Sequence, residues 1–190
     1  HSVDRRQRQM CIRDRLHTVG GPRRGQPGDP RLAVTAPPPR ILVSACLLGQ
    51  PVRYDGAAKT VDDPRIERWR REGRLVTICP ELAGGLGVPR RPAERQSERV
   101  VDDAGDDVTA AFDAGAHAAL VLARSRGCRF ALLKQGSPSC GSVQIGDGSF
   151  TGRRVPGMGI TAELLSANGI RVFGEDQIDA LDAALAATPR

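Results

Sequence analysis

Aromatic residues make up only 3% of this 190-residue chain, so any core must be assembled from Ala, Val, Leu and Ile. No apolar run approaches the length of a membrane span, which argues against a membrane protein, and the start lacks the apolar stretch of a signal peptide. Histidine is equally scarce. After residue 40 the chain holds one, His117, so histidine-based metal sites and Cys–His pairs have little to draw on. No C-x-x-C knuckle and no internal repeat occurs, which argues against a paired-knuckle zinc module and against a solenoid.

The length suits one domain able to bury a core without disulfide staples. The formal charge of +6 would suggest a nucleic-acid binder if it were spread over that domain. It is not. Residues 1–40 carry nine Arg and three Asp, a net of +6, and the remaining 19 basic and 19 acidic residues cancel (28 − 9 and 22 − 3). The nucleic-acid reading thereby loses its support, and a small-molecule partner is expected instead. Five cysteines with no secretion signal are expected of a protein in the reducing cytoplasm, where patterned thiols bind metals or react more often than they pair.

Residues 1–39 are rich in Arg, Pro, Gly and Gln, have no hydrophobic period, and end in Pro37-Pro38-Pro39. Such a segment buries too little apolar surface to offset its ordering entropy, so a disordered basic tail is expected over 1–39 and an α/β domain over 40–190. Residues Val3 to Arg15 also resemble a translated sequencing-adaptor read-through, a reading on which His1, Cys11 and His17 are not native; the alternative is a basic arm that touches RNA or an acidic partner. Deleting residues 1–39 is expected to leave activity unchanged in a turnover assay, and a large loss would show that the tail belongs to the working protein.

From Arg40 onward strand and helix signals alternate. Ile41–Ala45, Leu75–Ile78, Phe130–Leu133 and Ile170–Phe173 are short continuous apolar runs, the pattern of strands buried on both faces. A helix starts at Asp63-Pro64 and stops at Gly73. A long one opens at Asp106-Asp107, with Val108, Ala111, Phe112, Gly115, Ala119 and Leu122 on its apolar face and small residues that suit close packing on a sheet. Another covers Thr161–Ala167 before Asn168-Gly169, and the last begins near Glu175-Asp176. The alternation predicts a single α/β domain with a mostly parallel sheet and helices on both faces, a Rossmann-like three-layer arrangement.

Three cysteines stand where apolar runs give way to turns. Cys46 follows the first strand, Cys79 the second, and Cys140 lies six residues after Lys134 at the end of the third. They are 33 and 61 residues apart, so no local loop joins them, but in an open α/β sheet the carboxyl ends of the strands border one ligand crevice. Soft thiolates there suit zinc, copper(I) or iron–sulfur, and three protein ligands leave one metal position open. Spacing alone does not choose among these.

Several blocks occur in one order: Ser-Ala-Cys-Leu-Leu-Gly at 44–49, Val-Arg-Tyr-Asp-Gly at 52–56, Cys-Pro-Glu at 79–81, Gly-Gly-Leu at 84–86 and Pro-Arg-Arg-Pro-Ala-Glu at 89–94. Leu-Lys at 133–134, Ser-Pro-Ser-Cys-Gly at 137–141 and Asp-Gly-Ser-Phe at 147–150 follow. Over about residues 41–187 the chain resembles the DUF523 family, whose characterised members include thiouracil desulfidases. The resemblance implies a [4Fe–4S] cluster on Cys46, Cys79 and Cys140 with one iron free of protein ligands, and non-redox removal of sulfur from a small thiolated heterocycle. It implies Glu81 as the acid/base group and Ser137 as an active-site hydroxyl. Arg53, Asp55, Lys134 and Ser139 are expected to contact substrate. One departure is Gly146, where a bulkier residue, often Tyr, is expected; it bears on the pocket wall.

Two other classes remain open at this point: a zinc- or cluster-stabilised binding module for a nucleobase or modified RNA, and a thiol enzyme with one nucleophilic cysteine. Cys128 reads as a core or strand-entry residue, His117 as a helix-face residue, Asp102-Asp103 as a solvated loop and Asp106-Asp107 as a helix cap. The oligomeric state is left open.

Overall fold

The structure is a computed structural model in which residues 37–188 are described. In chain order the elements are β1 (Arg40–Ser44), a 3-10 turn (Ala45–Leu48), α1 (Pro64–Arg71), β2 (Leu75–Ile78), α2 (Pro80–Ala83), β3 (Ala93–Gln96), β4 (Arg99–Asp102) and α3 (Thr109–Ser125). Then come β5 (Cys128–Leu133), β6 (Gln144–Gly146), β7 (Arg154–Pro156), α4 (Ile160–Ala167), β8 (Arg171–Gly174) and α5 (Ile178–Ala186). Apart from Pro37 to Pro39, the tail expected to be disordered lies outside the described residues, as do Cys11, His1 and His17. Among the described residues no helix is long and apolar enough to cross a membrane.

The main sheet has the order β2-β1-β5-β8, and every neighbouring pair is parallel. Alternation of side chains across the strands divides the core in two. On one face Ile41, Val43, Phe130, Leu132 and Phe173 pack with Ile66 and Trp69 of α1 and with Ile178, Leu181 and Leu185 of α5. On the other, Leu42, Ala131 and Leu133 pack with Ala119, Leu120 and Ala123 of α3 and with Ala162 and Leu165 of α4. This is the expected parallel sheet covered on both faces. The central strands β1 and β5 are buried over nearly their whole length, which is why both read as unbroken apolar runs.

Asp63 caps α1 as expected, its Oδ1 accepting from the Arg65 amide at 2.8 Å, and Pro64 takes the first helical position. Other boundaries move. α3 begins at Thr109, because Asp107 Oδ1 accepts the Thr109 amide at 3.0 Å and holds the preceding residues in a turn. Its buried side runs through Phe112, Gly115, Ala116, Ala119, Leu120 and Ala123, one step around from the Ala111–Leu122 line. α5 begins at Ile178, because the Glu175 and Asp176 carboxylates are engaged by the loop after β5.

Two antiparallel hairpins, β3–β4 and β6–β7, were not expected. β3 and β4 carry no apolar alternation, and β6 and β7 are three residues each, too short to show a period. The β3–β4 turn uses Ser97 at φ 57° where Asn or Gly would have signalled it. The small residues of α3 also serve differently from expectation. They admit α2 as well as the sheet: a Cβ on Gly115 would lie 2.1 Å from the Pro80 carbonyl oxygen, and one on Gly84 1.9 Å from that of Ala111. Those contacts fix where the short helix after β2 can sit.

Candidate active site

A cavity of about 490 Å³ opens beyond the carboxyl ends of β1, β2 and β5, where parallel α/β sheets place their ligands. Cys46, Cys79 and Cys140 all line it. Cys46 sits in the 3-10 turn directly after β1, where its carbonyl oxygen accepts the Lys59 amide at 2.9 Å. Cys79 occupies the position before α2, and Cys140 the loop after β5. Cys128, the first residue of β5, is buried at the opposite end of the sheet and does not reach the cavity. His117 is exposed on α3, the helix-face position expected of it.

The Cys140 loop is held from several sides. Ser137 Oγ accepts the amides of Ser139 and Cys140, each at 3.1 Å, and the Gly141 amide donates to the Ser137 carbonyl at 2.9 Å. Gln135 braces the next residues: its Oε1 accepts from Ser142 N at 3.0 Å, and its Nε2 donates to Ser142 Oγ at 2.8 Å and Asp176 Oδ1 at 3.2 Å. Ser139 Oγ pairs with Thr161 Oγ1 at 2.8 Å, tying the loop to α4.

Burial raises all three thiols above their ordinary range. Cys140 is pushed up to about 12, chiefly by desolvation, against the opposing hydrogen bond from Ser44. Cys46 is pushed up to about 11 by burial, with Cys79 adding to it. Cys79 is raised by burial, less so because the Leu82 amide favours its thiolate. A cationic group bound there would favour the three thiolates over the thiols.

A single zinc ion needs each thiolate sulfur about 2.3 Å from one point. Among the described residues no three His, Cys, Asp or Glu side chains are grouped to hold one ion, although the three thiols border one cavity. Three soft sulfur donors lining one cavity suit an iron–sulfur group, whose ligands are cysteine thiolates.

Beside the thiols lies a carboxylate–hydroxyl pair. Glu81, in the first turn of α2, receives a hydrogen bond on Oε1 from Ser137 Oγ at 3.2 Å. Both Ser137 lone pairs already accept amides, so its proton is directed to Glu81. Arg90 Nε donates to Glu81 Oε2 at 2.8 Å, and its Nη2 donates to the same oxygen. The guanidinium also donates to the carbonyls of Val52 and Gly87, so Glu81 is tied to two loops at the mouth. Arg90 was not expected to contribute. It stood inside the Pro89–Glu94 block, but nothing in that block shows that it is buried and therefore needs an anionic partner.

The structure brings only some of the expected substrate residues to the cavity. Arg53 and Lys134 line it. Lys134 Nζ is engaged by the Glu175 carboxylate and the Gln135 carbonyl, and Arg53 pairs with Asp55 at 3.0 Å. Asp55 itself is exposed, accepts the Ala57 amide, and does not line the cavity. Ser139 is also absent from the wall, being buried against Thr161. In the other direction, Asp102 is no solvated loop residue. It is buried at the end of β4, accepts the amides of Ala104 and Asp106, and helps line the cavity. Gly146 bears on the wall through a neighbour: a Cβ there would lie 2.6 Å from the carboxylate of Glu94, which does line the cavity.

Fold and site together define a three-layer α/β protein with a three-thiol crevice at the carboxyl edge of its sheet. Within that class, residues 41–177 match the 2-thiouracil desulfurase family, and the chain belongs to it. Its structure is similar to that of the [4Fe-4S]-dependent thiouracil desulfidase TudS, with a TM-score of 0.78 and 54% sequence identity over 79% of this chain and 99% of TudS. It is also 37% identical over 149 residues to the uncharacterized protein YbbK of Bacillus subtilis (strain 168), covering 73% of this chain and 97% of YbbK.

Proposed function

We propose that this protein is a [4Fe–4S]-dependent desulfidase that removes sulfur from a small thiolated heterocycle such as 2-thiouracil. The observation that carries this reading is the convergence of Cys46, Cys79 and Cys140 on one cavity beside the Glu81–Ser137 pair, in a chain of this family. The three thiolates would hold the cluster. When bound, it supplies a Lewis-acidic iron without a protein ligand, able to take up soft thiocarbonyl sulfur.

The chain's own residues then manage water and protons. Arg90 keeps Glu81 oriented through Oε2 and leaves Oε1 facing Ser137. Glu81 Oε1 takes one proton from the water that attacks the C=S carbon and delivers it to the departing sulfur. It then takes the second from the hydroxyl left on that carbon as C=O forms, and passes it to the sulfide. Ser137, freed from Oε1 by that transfer, donates a hydrogen bond from its Oγ to the ring edge of the substrate. In sum, C=S and water become C=O and hydrogen sulfide, with no change in oxidation state.

The test is turnover of 2-thiouracil by anaerobically prepared, iron-loaded protein, with sulfide and uracil quantified together. Equal yields of the two are expected. Iron-loaded protein that releases no sulfide would keep the cofactor and overturn the substrate assignment.

A further inference from the structure

We infer that Ser44 is a positioning residue for the cluster, its hydroxyl donating a hydrogen bond to the Cys140 thiolate and weakening that sulfur as an electron donor to iron. The inference rests on the proposed ligation by Cys140. Ser44 is the last residue of β1 and is 2% exposed. Its Oγ accepts the Lys134 amide at 3.1 Å and lies 3.4 Å from Cys140 Sγ. An amide only donates and a thiolate only accepts, so with both partners in place the hydroxyl proton has one direction to take. Two strand ends fix this geometry, because the hydroxyl comes from β1 and the amide that orients it from the end of β5.

The other two thiols differ. Cys79 Sγ lies 3.8 Å from the Val52 carbonyl oxygen, an acceptor that gives a thiolate no proton, and its donors are the backbone amides of Glu81 and Leu82 in α2. Among the hydrogen bonds of the described residues, Cys46 Sγ has no hydroxyl partner. The proposed ligand set is therefore asymmetric, with a buried hydroxyl at Cys140 Sγ, backbone amides at Cys79 Sγ, and no hydroxyl at Cys46 Sγ. Hydrogen bonds to ligating sulfurs raise the reduction potential of iron–sulfur clusters and reduce the electron density the sulfur returns to iron. At Cys140 this makes the cluster a better acceptor of substrate sulfur.

The experiment compares wild-type protein with Ser44→Ala, Ser44→Thr and Cys140→Ala, each prepared anaerobically and loaded with iron and sulfide. Ser44→Ala is expected to keep its iron, show a more negative midpoint potential, and turn over about 10-fold more slowly at an unchanged KM. Ser44→Thr, which keeps the hydroxyl, is expected to restore the potential. An unchanged potential in Ser44→Ala, with Cys140→Ala having lost its iron, overturns the inference and leaves the ligand assignment standing. Full iron in Cys140→Ala overturns the ligand assignment itself. If Ser44→Ala fails to load, exchange into D₂O of wild-type protein, Ser44→Thr and its isostere Ser44→Val decides. A hydrogen-bonded thiolate shifts an iron–sulfur stretching band on deuteration, and the Leu82 amide adds equally to all three. A shift no larger in wild type and Ser44→Thr than in Ser44→Val overturns the inference.

Discussion

Cys140→Ala is expected to lose the iron–sulfur cluster outright, from about four irons per chain to near none after anaerobic purification, with sulfide release falling to background. Cys46→Ala and Cys79→Ala are expected to behave alike, and Cys128→Ala to keep both iron and activity. The contrast follows from position. Three thiols line the crevice and the fourth is buried at the far end of β5. Two remaining thiolates give a cluster too little anchorage, and no histidine lines the cavity to substitute. Removing one buried sulfur costs of order 1 kcal/mol in packing, so far-UV circular dichroism should stay native while the visible absorption of the cluster disappears. Full iron in any of the three variants would remove that cysteine from the ligand set.

Glu81→Gln is expected to separate cofactor from catalysis. The variant should bind iron as the wild type does and lose about 10²- to 10⁴-fold in kcat, the range general acid–base groups contribute. Glutamine can still accept from Ser137 Oγ, so the pair's geometry survives while the proton acceptor is gone. Its cost elsewhere is the charge partner of Arg90, whose guanidinium keeps its bonds to Val52 and Gly87. A modest loss of stability is therefore expected alongside the large loss of rate, and Glu81→Asp, which restores the charge, should recover the first more fully than the second. Unchanged sulfide release by Glu81→Gln would remove Glu81 from the mechanism.

Much of the fold was legible because parallel strands buried on both faces leave continuous apolar runs, as Ile41–Val43 and Phe130–Leu133 do. The order β2-β1-β5-β8 was not, since it depends on which face each crossover helix takes. The hairpins escaped notice because Ala93 to Gln96 has no apolar alternation. The thiols could be placed at one edge of the sheet from their positions after strands, whereas side-chain partners depended on loop paths. Ser137 and Ser139 flank the same proline and look equivalent in sequence. The turn sends the first to Glu81 and the second to Thr161. Glu175 and Asp176 read as acids suited to a helix start, yet Lys134 and Gln135 claim them. Arg90 lies nine residues from its partner across a loop containing Gly84, Gly85 and Gly87, a separation at which spacing carries no information.

The contact between Gly84 and Gly115 has a mechanical meaning. α3 is 17 residues long, and its second half is seated in the core behind the sheet through Ala119, Leu120 and Ala123. Its first half bears on the Pro80 carbonyl, in the residue between Cys79 and Glu81. The helix thus acts as a shim whose thickness at one point is a single hydrogen atom. A thiol and a carboxylate with quite different tasks share that one clearance, so the working tolerance of the site is set by two residues with no functional group at all.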